Sequence, residues 1–390
     1  MADVDTVLIG AGPASLAVAL ALCDSLGAES VMAVDPAGTW MADWRRRFRA
    51  HRIEHLRSSV FHHPHPDPDR FLDRCSESDM VVRDQYRLPG SGAFDRFIDE
   101  AVSEAGISHR VIADCAVDVC QGRTGVRVET ASGSPVEARR AVVATNPRSH
   151  QESGWYAIRG AETIDLNAAD LVYRRILVLG GGLTAARLAV AAVEGGADVT
   201  LAARRKISVR PFDILPGWMG PRFLRGFEAE PSWVERRRMV ADGREGTMPP
   251  WARRSVGESV GRGLRLKNGI AWELEPAGEV VVARFADGSV DCFDEVWQAF
   301  GGSPDVASSP LLTRVAQRHP NGVIDGLPVL DEELRWPGTD IHVVGALAAL
   351  QLGPGAGNLH GHRRAARRVV GVVASCLADP ASPSSRHDAA

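Results

Sequence analysis

Residues 5–35 read DTVLIGAGPASLAVALALCDSLGAESVMAVD, and residues 174–205 read RRILVLGGGLTAARLAVAAVEGGADVTLAARR. Each is a short apolar run, a glycine turn, a helix of small residues and a second apolar run. The same βαβ unit thus occurs twice, and a repeat of this kind sets the architecture before anything else is read. The expected fold is α/β with two Rossmann-like dinucleotide-binding domains. In the first unit Gly10 permits the tight turn, and Gly12 lets the backbone approach a pyrophosphate. Pro13, Ala14 and Ser15 open a helix whose N-terminal partial charge favours an anion. Asp35 ends the second strand, where a carboxylate accepts hydrogen bonds from ribose hydroxyls.

In the second unit Gly180, Gly181 and Gly182 form the turn, and Leu183 and Thr184 begin the helix. Its second strand ends in Ala202-Ala203-Arg204-Arg205-Lys206, without an acid. A carboxylate there would repel the 2′-phosphate of NADP, whereas a guanidinium pairs with it two-pronged. Arg204 and Arg205 therefore point to NADPH rather than NADH. The plainer reading of 204–206 is a solvated basic edge.

Around these units, 390 residues suffice for two domains with cores of their own. A formal net charge of −4 gives no reason to expect nucleic acid or an anionic membrane. No run approaches the roughly 20 apolar residues that cross a bilayer, and the N-terminus does not read as a signal peptide. A cytoplasmic location is the default expectation. Of the six cysteines, Cys115 and Cys120 have the CxxxxC spacing of some disulfide reductases. They fall in an alternating, strand-like run, where five residues set side chains on opposite faces, about 12 Å or more apart. That is too far for a disulfide. Residues 36–91 and 207–262 look irregular, rich in Trp, Arg and Pro, and the tail 379–390 reads as disordered.

With both glycine motifs in hand, the chain resembles the two-dinucleotide flavoproteins. Within them it is most similar to the single-component flavin monooxygenases of the lysine/ornithine N-hydroxylase-like group. GAGPAS (10–15) resembles the FAD loop, with Asp35 in place of the usual Glu, and PAGTW (36–40) the GGxW that follows it. VVATN (142–146) and VWQAFGGSPD (296–305) resemble the two crossover strands, and GGGLTA (180–185) the NADPH loop. VVGALAALQLGPGAGNLHGHRRAARR (343–368) resembles the closing FAD segment, whose helix start faces the flavin. The resemblance implies an FAD domain of residues 1–165 and 318–378. An NADPH domain of 166–317, carrying the 207–262 insertion, interrupts it. It also implies that Trp40, Gly345, Gly353 and Asn358 join the FAD site.

Three departures stand out. The family's Gly-Asp is Gly345-Ala346 here. His150 and Trp155 only echo the Baeyer–Villiger fingerprint. The chain is shorter than typical ornithine hydroxylases, leaving little room for their amino-acid-binding domain.

The implied function is an FAD-dependent, NADPH-consuming monooxygenase. It would hydroxylate an amine nitrogen of a small biosynthetic substrate with dioxygen, through a peroxyflavin. In LRSSVFHHPHPDP (56–68), Ser59, His62 and His63 are the candidate catalytic residues. HHPH has no second cluster to complete a metal site, so no metal is expected. A homo-oligomer is left open. The rival functions are a reductase or electron-transfer flavoprotein without oxygen insertion, and a catalytically silent nucleotide-binding redox sensor. Fold alone does not choose among them.

Overall fold

The computed structural model describes residues 4–149 and 157–378. His150, Trp155 and the 379–390 tail therefore lie outside the described residues.

The first βαβ unit forms as its sequence dictates. The apolar run becomes β1 (Val4–Ile9), the helix α1 (Pro13–Leu26) follows, and the second run is β2 (Val31–Asp35), parallel to β1. Pro13 takes the first helical position, where its missing N–H costs nothing. These strands sit in a seven-stranded sheet. The long strand Val136–Val143 pairs with β1 on one side. On its other side it is shared. Its first half is antiparallel to Val126–Thr130, and its second half is parallel to Ile341–Val343. The closing segment is thereby delivered beside the first glycine turn, because parallel strands place their C-terminal ends together.

The second unit builds a separate five-stranded parallel sheet in the order Ile158–Gly160, Glu295–Gln298, Arg175–Leu179, Asp198–Ala203, Leu264–Asn268. Leu177, Val178, Val199 and Leu201 have no exposed surface. Strands covered on both faces read as continuous apolar runs, which is why ILVL and VTLAA do not alternate. A three-stranded antiparallel sheet, Trp272–Ala277 to Val290–Phe293, packs alongside.

Several expectations need correction. Residues 36–91 are not irregular throughout. They hold the helix α2 (Ala42–Ala50) and a hairpin, Met80–Arg83 with Tyr86–Pro89, before α3 (Ser91–Glu104) begins. The arginines of α2 hide its period, yet Trp44 and Phe48, one turn apart, stack at 4.5 Å. In the second unit α4 (Leu183–Glu194) follows the glycines. The 207–262 stretch then contains α5 (Pro221–Ala229), α6 (Trp233–Gly243) and α7 (Pro250–Ser259). Pro221 and Pro250, part of the proline content that made the stretch look irregular, open helices.

The expected domain limits also shift. Ile158–Gly160 pairs in the second sheet. The helix α8 (Pro310–Arg318) buries Leu312 and Val315 in the first core, and its Arg318 pairs with Asp118 at 2.5 Å. Finally, Cys115 is not on one strand with Cys120. The strand breaks between Val111–Ala113 and Ala116–Gln121, and both thiols are free.

Candidate functional site

Gly10 has φ +93°, and its amide donates to the Val34 carbonyl. Gly12 caps α1 at φ −82°, and a Cβ there would meet no atom within 4 Å. This glycine is not needed for the backbone; it keeps an open space over the helix start. Beneath that space Ser15 is fully buried, and its Oγ has no partner. A buried hydroxyl without a hydrogen bond is costly unless a ligand supplies one. Asp35 anchors the loop, its carboxylate accepting from the amides of Ala11 and Ala37, both at 2.9 Å. Gly345, φ +78°, lies against Ala14, with 3.9 Å between its Cβ position and the Ala14 Cβ. The first glycine turn and the closing segment thus share one mouth of the sheet.

The second cradle differs in kind. Gly180, φ +150°, is obligatory, since a Cβ would stand 2.5 Å from the Ala299 carbonyl oxygen. Gly182 caps α4 and faces space, with Thr247 O at 3.9 Å the nearest atom. A cavity of about 420 Å³ opens over this turn, edged by Arg204, Arg205 and Lys206. The Arg204 guanidinium stacks 4.7 Å from the centroid of Trp272, whose own surface is 9 % exposed. The Trp272 ring thus holds the Arg204 guanidinium at the cavity's edge.

From there a row of cavities runs inward. One of about 700 Å³ shares Gly182, Arg205 and Phe300 with the first. It shares Leu183, Thr184, Arg244 and Gly357 with a third of about 480 Å³. This third cavity lies where both halves of the chain meet. α2 gives Trp44 and Phe48, the insertion gives Phe212, Ile214 and Met219, and the last helix, α10 (Leu359–Ala378), begins at its wall. Trp44 Nε1 is buried without a partner.

The sequence-predicted catalytic residues separate. Ser59 and His62 line this inner cavity, but His63 does not. His63 has no exposed surface. It packs edge-on to Phe71 and Phe97, and its Nε2 bonds the Pro68 carbonyl at 3.0 Å. It is a core histidine, held by these aromatic rings and by the Pro68 carbonyl. His62 Nδ1 bonds Ser58 Oγ at 2.9 Å, and its ring meets that of His360 at 5.3 Å. Burial first, then Arg363, hold His62 below the usual imidazole range. Ser59 Oγ accepts from the Phe61 amide at 3.3 Å.

Trp40 also proves to be packing. It is 3 % exposed, and its indole N–H donates to Ile107 O. Gly353 turns its open side toward Leu224 and Phe227 of the insertion, a packing role. Asn358 lines the inner cavity while its Oδ1 accepts from the Gly361 amide, capping the last helix. Sequence reasoning missed Arg57, Arg148, Arg244 and His362, which surround these cavities. Nothing in an arginine-rich sequence marks them out, since their role depends on contacts across the chain. Among the described residues no group of three or more His, Cys, Asp or Glu is placed to hold a metal ion, and no helix is long and apolar enough to cross a membrane.

No curated protein matches the sequence. Solved structures do share its fold. The ornithine N-hydroxylase of Kutzneria sp. 744, solved with reduced FAD, NADP+ and L-ornithine, is 16 % identical. It superposes with a TM-score of 0.75 over 96 % of this chain and 99 % of its own. The reduced ornithine hydroxylase of Pseudomonas aeruginosa gives 17 %, 0.76, 97 % and 100 %. The FAD-bound cadaverine monooxygenase of Erwinia amylovora gives 14 %, 0.74, 95 % and 94 %. The two ornithine hydroxylases are thus matched over nearly their whole length. The profile of the pyridine nucleotide-disulphide oxidoreductases matches residues 4–214, from β1 through the second glycine turn to the start of the insertion. With both cradles in the stretch that defines it, the chain belongs to the pyridine nucleotide-disulphide oxidoreductase family.

Proposed function

We propose that the chain is an FAD-dependent, NADPH-consuming monooxygenase that hydroxylates an amine nitrogen of a small substrate. The observation that carries this reading is one largely apolar cavity walled by the start of the second cradle's helix, Leu183 and Thr184, and by the closing segment, Asn358 and Leu359, that runs on from Gly345 beside the first cradle. The residues fit both groups. The amides of Gly12, Ala14 and Ser15, the unpartnered Ser15 Oγ and Asp35 would hold FAD. Gly182, Thr184 and the edges of Arg204 and Arg205 would hold NADPH.

The chemistry that FAD supplies when bound is acceptance of hydride from NADPH and activation of dioxygen. The protein's share is to orient and to keep water out. Trp44, Phe48, Phe212 and Met219 give the cavity its apolar wall. Burial, then Arg363, hold His62 below the usual imidazole range, so its ring faces the cavity as a neutral hydrogen-bonding group. A cavity of about 480 Å³ suits a small molecule.

Cys23, Cys75, Cys115, Cys120 and Cys292 are free thiols. Stopped-flow absorbance decides the matter. FAD-loaded, pre-reduced protein mixed with oxygen should show an oxygenated species lasting seconds or longer. Immediate return of the oxidised spectrum would favour a reductase, and failure to take up FAD a silent sensor.

A further inference from the structure

The start of the last helix forms a positive corner. Arg244, at the end of α6, lines both the 480 Å³ and the 700 Å³ cavities. Its Nη1 lies 3.2 Å from where a Cβ on Gly357 would stand, and the Ala346 Cβ lies 2.9 Å from the same point. Among the described residues its hydrogen bond is a long one, 3.5 Å, to the Pro354 carbonyl. One turn into the helix, His362 lines the same cavity, is 8 % exposed, and has an Nδ1 without a partner. The amides of Leu359 and His360 have no acceptor within the helix.

Among the described residues no acid pairs directly with Arg244, although the charge of Asp213 reaches it. Asp213 is engaged by Arg57 at 2.5 Å and by Thr247 Oγ1 at 3.1 Å, and Glu245 by Arg210 at 2.5 Å. Position 346 is alanine. Burial, then Arg244, hold His362 at about 4, so the corner's charge is that of Arg244.

Its place in the fold says what arrives there. The strand Ile341–Val343 carries Gly345 to the first glycine turn, and the chain runs on from Ala346 to this corner. A dinucleotide cradled at Gly10–Ser15 and extending past Gly345 would bring its far end to this corner. We propose that Arg244, supported by His362 and the start of α10, is the counter-charge for the isoalloxazine of bound FAD and raises its reduction potential. This rests on the FAD reading above. When dihydronicotinamide gives up hydride, its C–H bond breaks and the electron pair leaves with the proton. The nicotinamide becomes cationic, and the accepting ring carries one more negative charge than before. A fixed cation beside that ring favours the reduced form over the oxidised one.

The test is the midpoint potential of FAD-loaded protein, measured by equilibration with a reference dye, beside the dissociation constant for NADP+. Arg244→Gln should lower the preference for reduced over oxidised FAD tenfold or more, about 30 mV for a two-electron couple. Arg244→Lys, which keeps the charge, should stay within about threefold of the parent. NADP+ affinity should change less than about twofold in both. An unchanged potential in Arg244→Gln overturns the proposal while leaving the FAD reading intact. So does a tenfold loss of NADP+ affinity at unchanged potential, which would make Arg244 a phosphate receptor. Should Arg244→Gln not load FAD, a potential in Arg244→Lys shifted as far as tenfold overturns it. Parent protein that takes up no FAD overturns both.

Discussion

Arg57 Nη1 meets Asp213 Oδ1 at 2.5 Å, across the boundary between the first nucleotide-binding half and the insertion of the second. The rest of the guanidinium is equally committed. Nε donates to Pro211 O at 2.8 Å, and Nη1 to Thr247 O at 3.0 Å. Nη2 donates to Arg210 O and to Thr247 Oγ1, both at 2.7 Å. All five N–H groups of a rigid fork are thus spent on one neighbour. The same residue walls the inner cavity, so the device that ties the halves together also shapes the site.

Replacing Arg57 by alanine should therefore loosen the insertion more than it harms either core. The lost charge-assisted bonds and the stranded carbonyls amount to about 2–3 kcal/mol, and half-exposed Asp213 is rehydrated. Arg57→Lys, a point charge without the fork, should recover little. Limited proteolysis is the check. Cleavage between residues 207 and 247 should quicken in both variants, and parental cleavage rates would show that the fork is not what holds the insertion.

Two glycines should respond in opposite ways. Gly180→Ala places a Cβ 2.5 Å from a backbone oxygen at a positive φ, so the second unit should be destabilised by about 2 kcal/mol or more. Gly12→Ala adds a methyl to open space at an ordinary φ, so the melting temperature without cofactor should hold. That methyl occupies the space assigned to the pyrophosphate, and FAD affinity should fall tenfold or more. Circular dichroism melts and FAD titration separate the two effects.

For the pyridine nucleotide, the stacking of Arg204 on Trp272 makes a paired expectation. Arg204→Ala should raise the KM for NADPH about tenfold or more, the scale of a charge-assisted bond, and that for NADH less than about twofold. Trp272→Ala leaves the charge but frees the guanidinium, so the same preference should weaken in part. Equal effects on both nucleotides in Arg204→Ala would remove the 2′-phosphate assignment.

What was legible in the sequence follows from the range of each interaction. The two cradles were readable because each is a contiguous strand–turn–helix whose glycines serve local geometry. Gly12 and Gly182 stand at helix starts as their spacing requires. α2 was hidden because arginines occupy its solvent face, leaving only Trp44 and Phe48 to show the period. His62 and His63 were indistinguishable as neighbours, yet one lines the cavity and the other is core. Arg57 and Arg244 gain their meaning from partners about 150 and 110 positions away in sequence. No local pattern encodes such contacts.

The buried histidines set the last expectation, that the protein loses stability steeply in mild acid. Burial holds His63, His342, His360 and His362 at about 4, against 6.5 for an unperturbed imidazole. Because the folded pKa lies below the unfolded one, the unfolded chain takes up protons first as pH falls. Stability is then fully present above about 6.5 and declines through the interval down to about 4. Each histidine contributes a slope of up to about 1.4 kcal/mol per pH unit. His342 Nδ1–H donates to the Glu333 carbonyl at 2.9 Å, from a buried position on the strand Ile341–Val343 of the first sheet. His342→Asn offers an amide N–H at a similar place without a titrating ring. Urea unfolding at pH 7.5, 6, 5 and 4.5 should show a pH slope lower by about one proton in that variant. An identical slope in parent and variant would mean that His342 does not titrate on unfolding, and that the acid sensitivity has another origin.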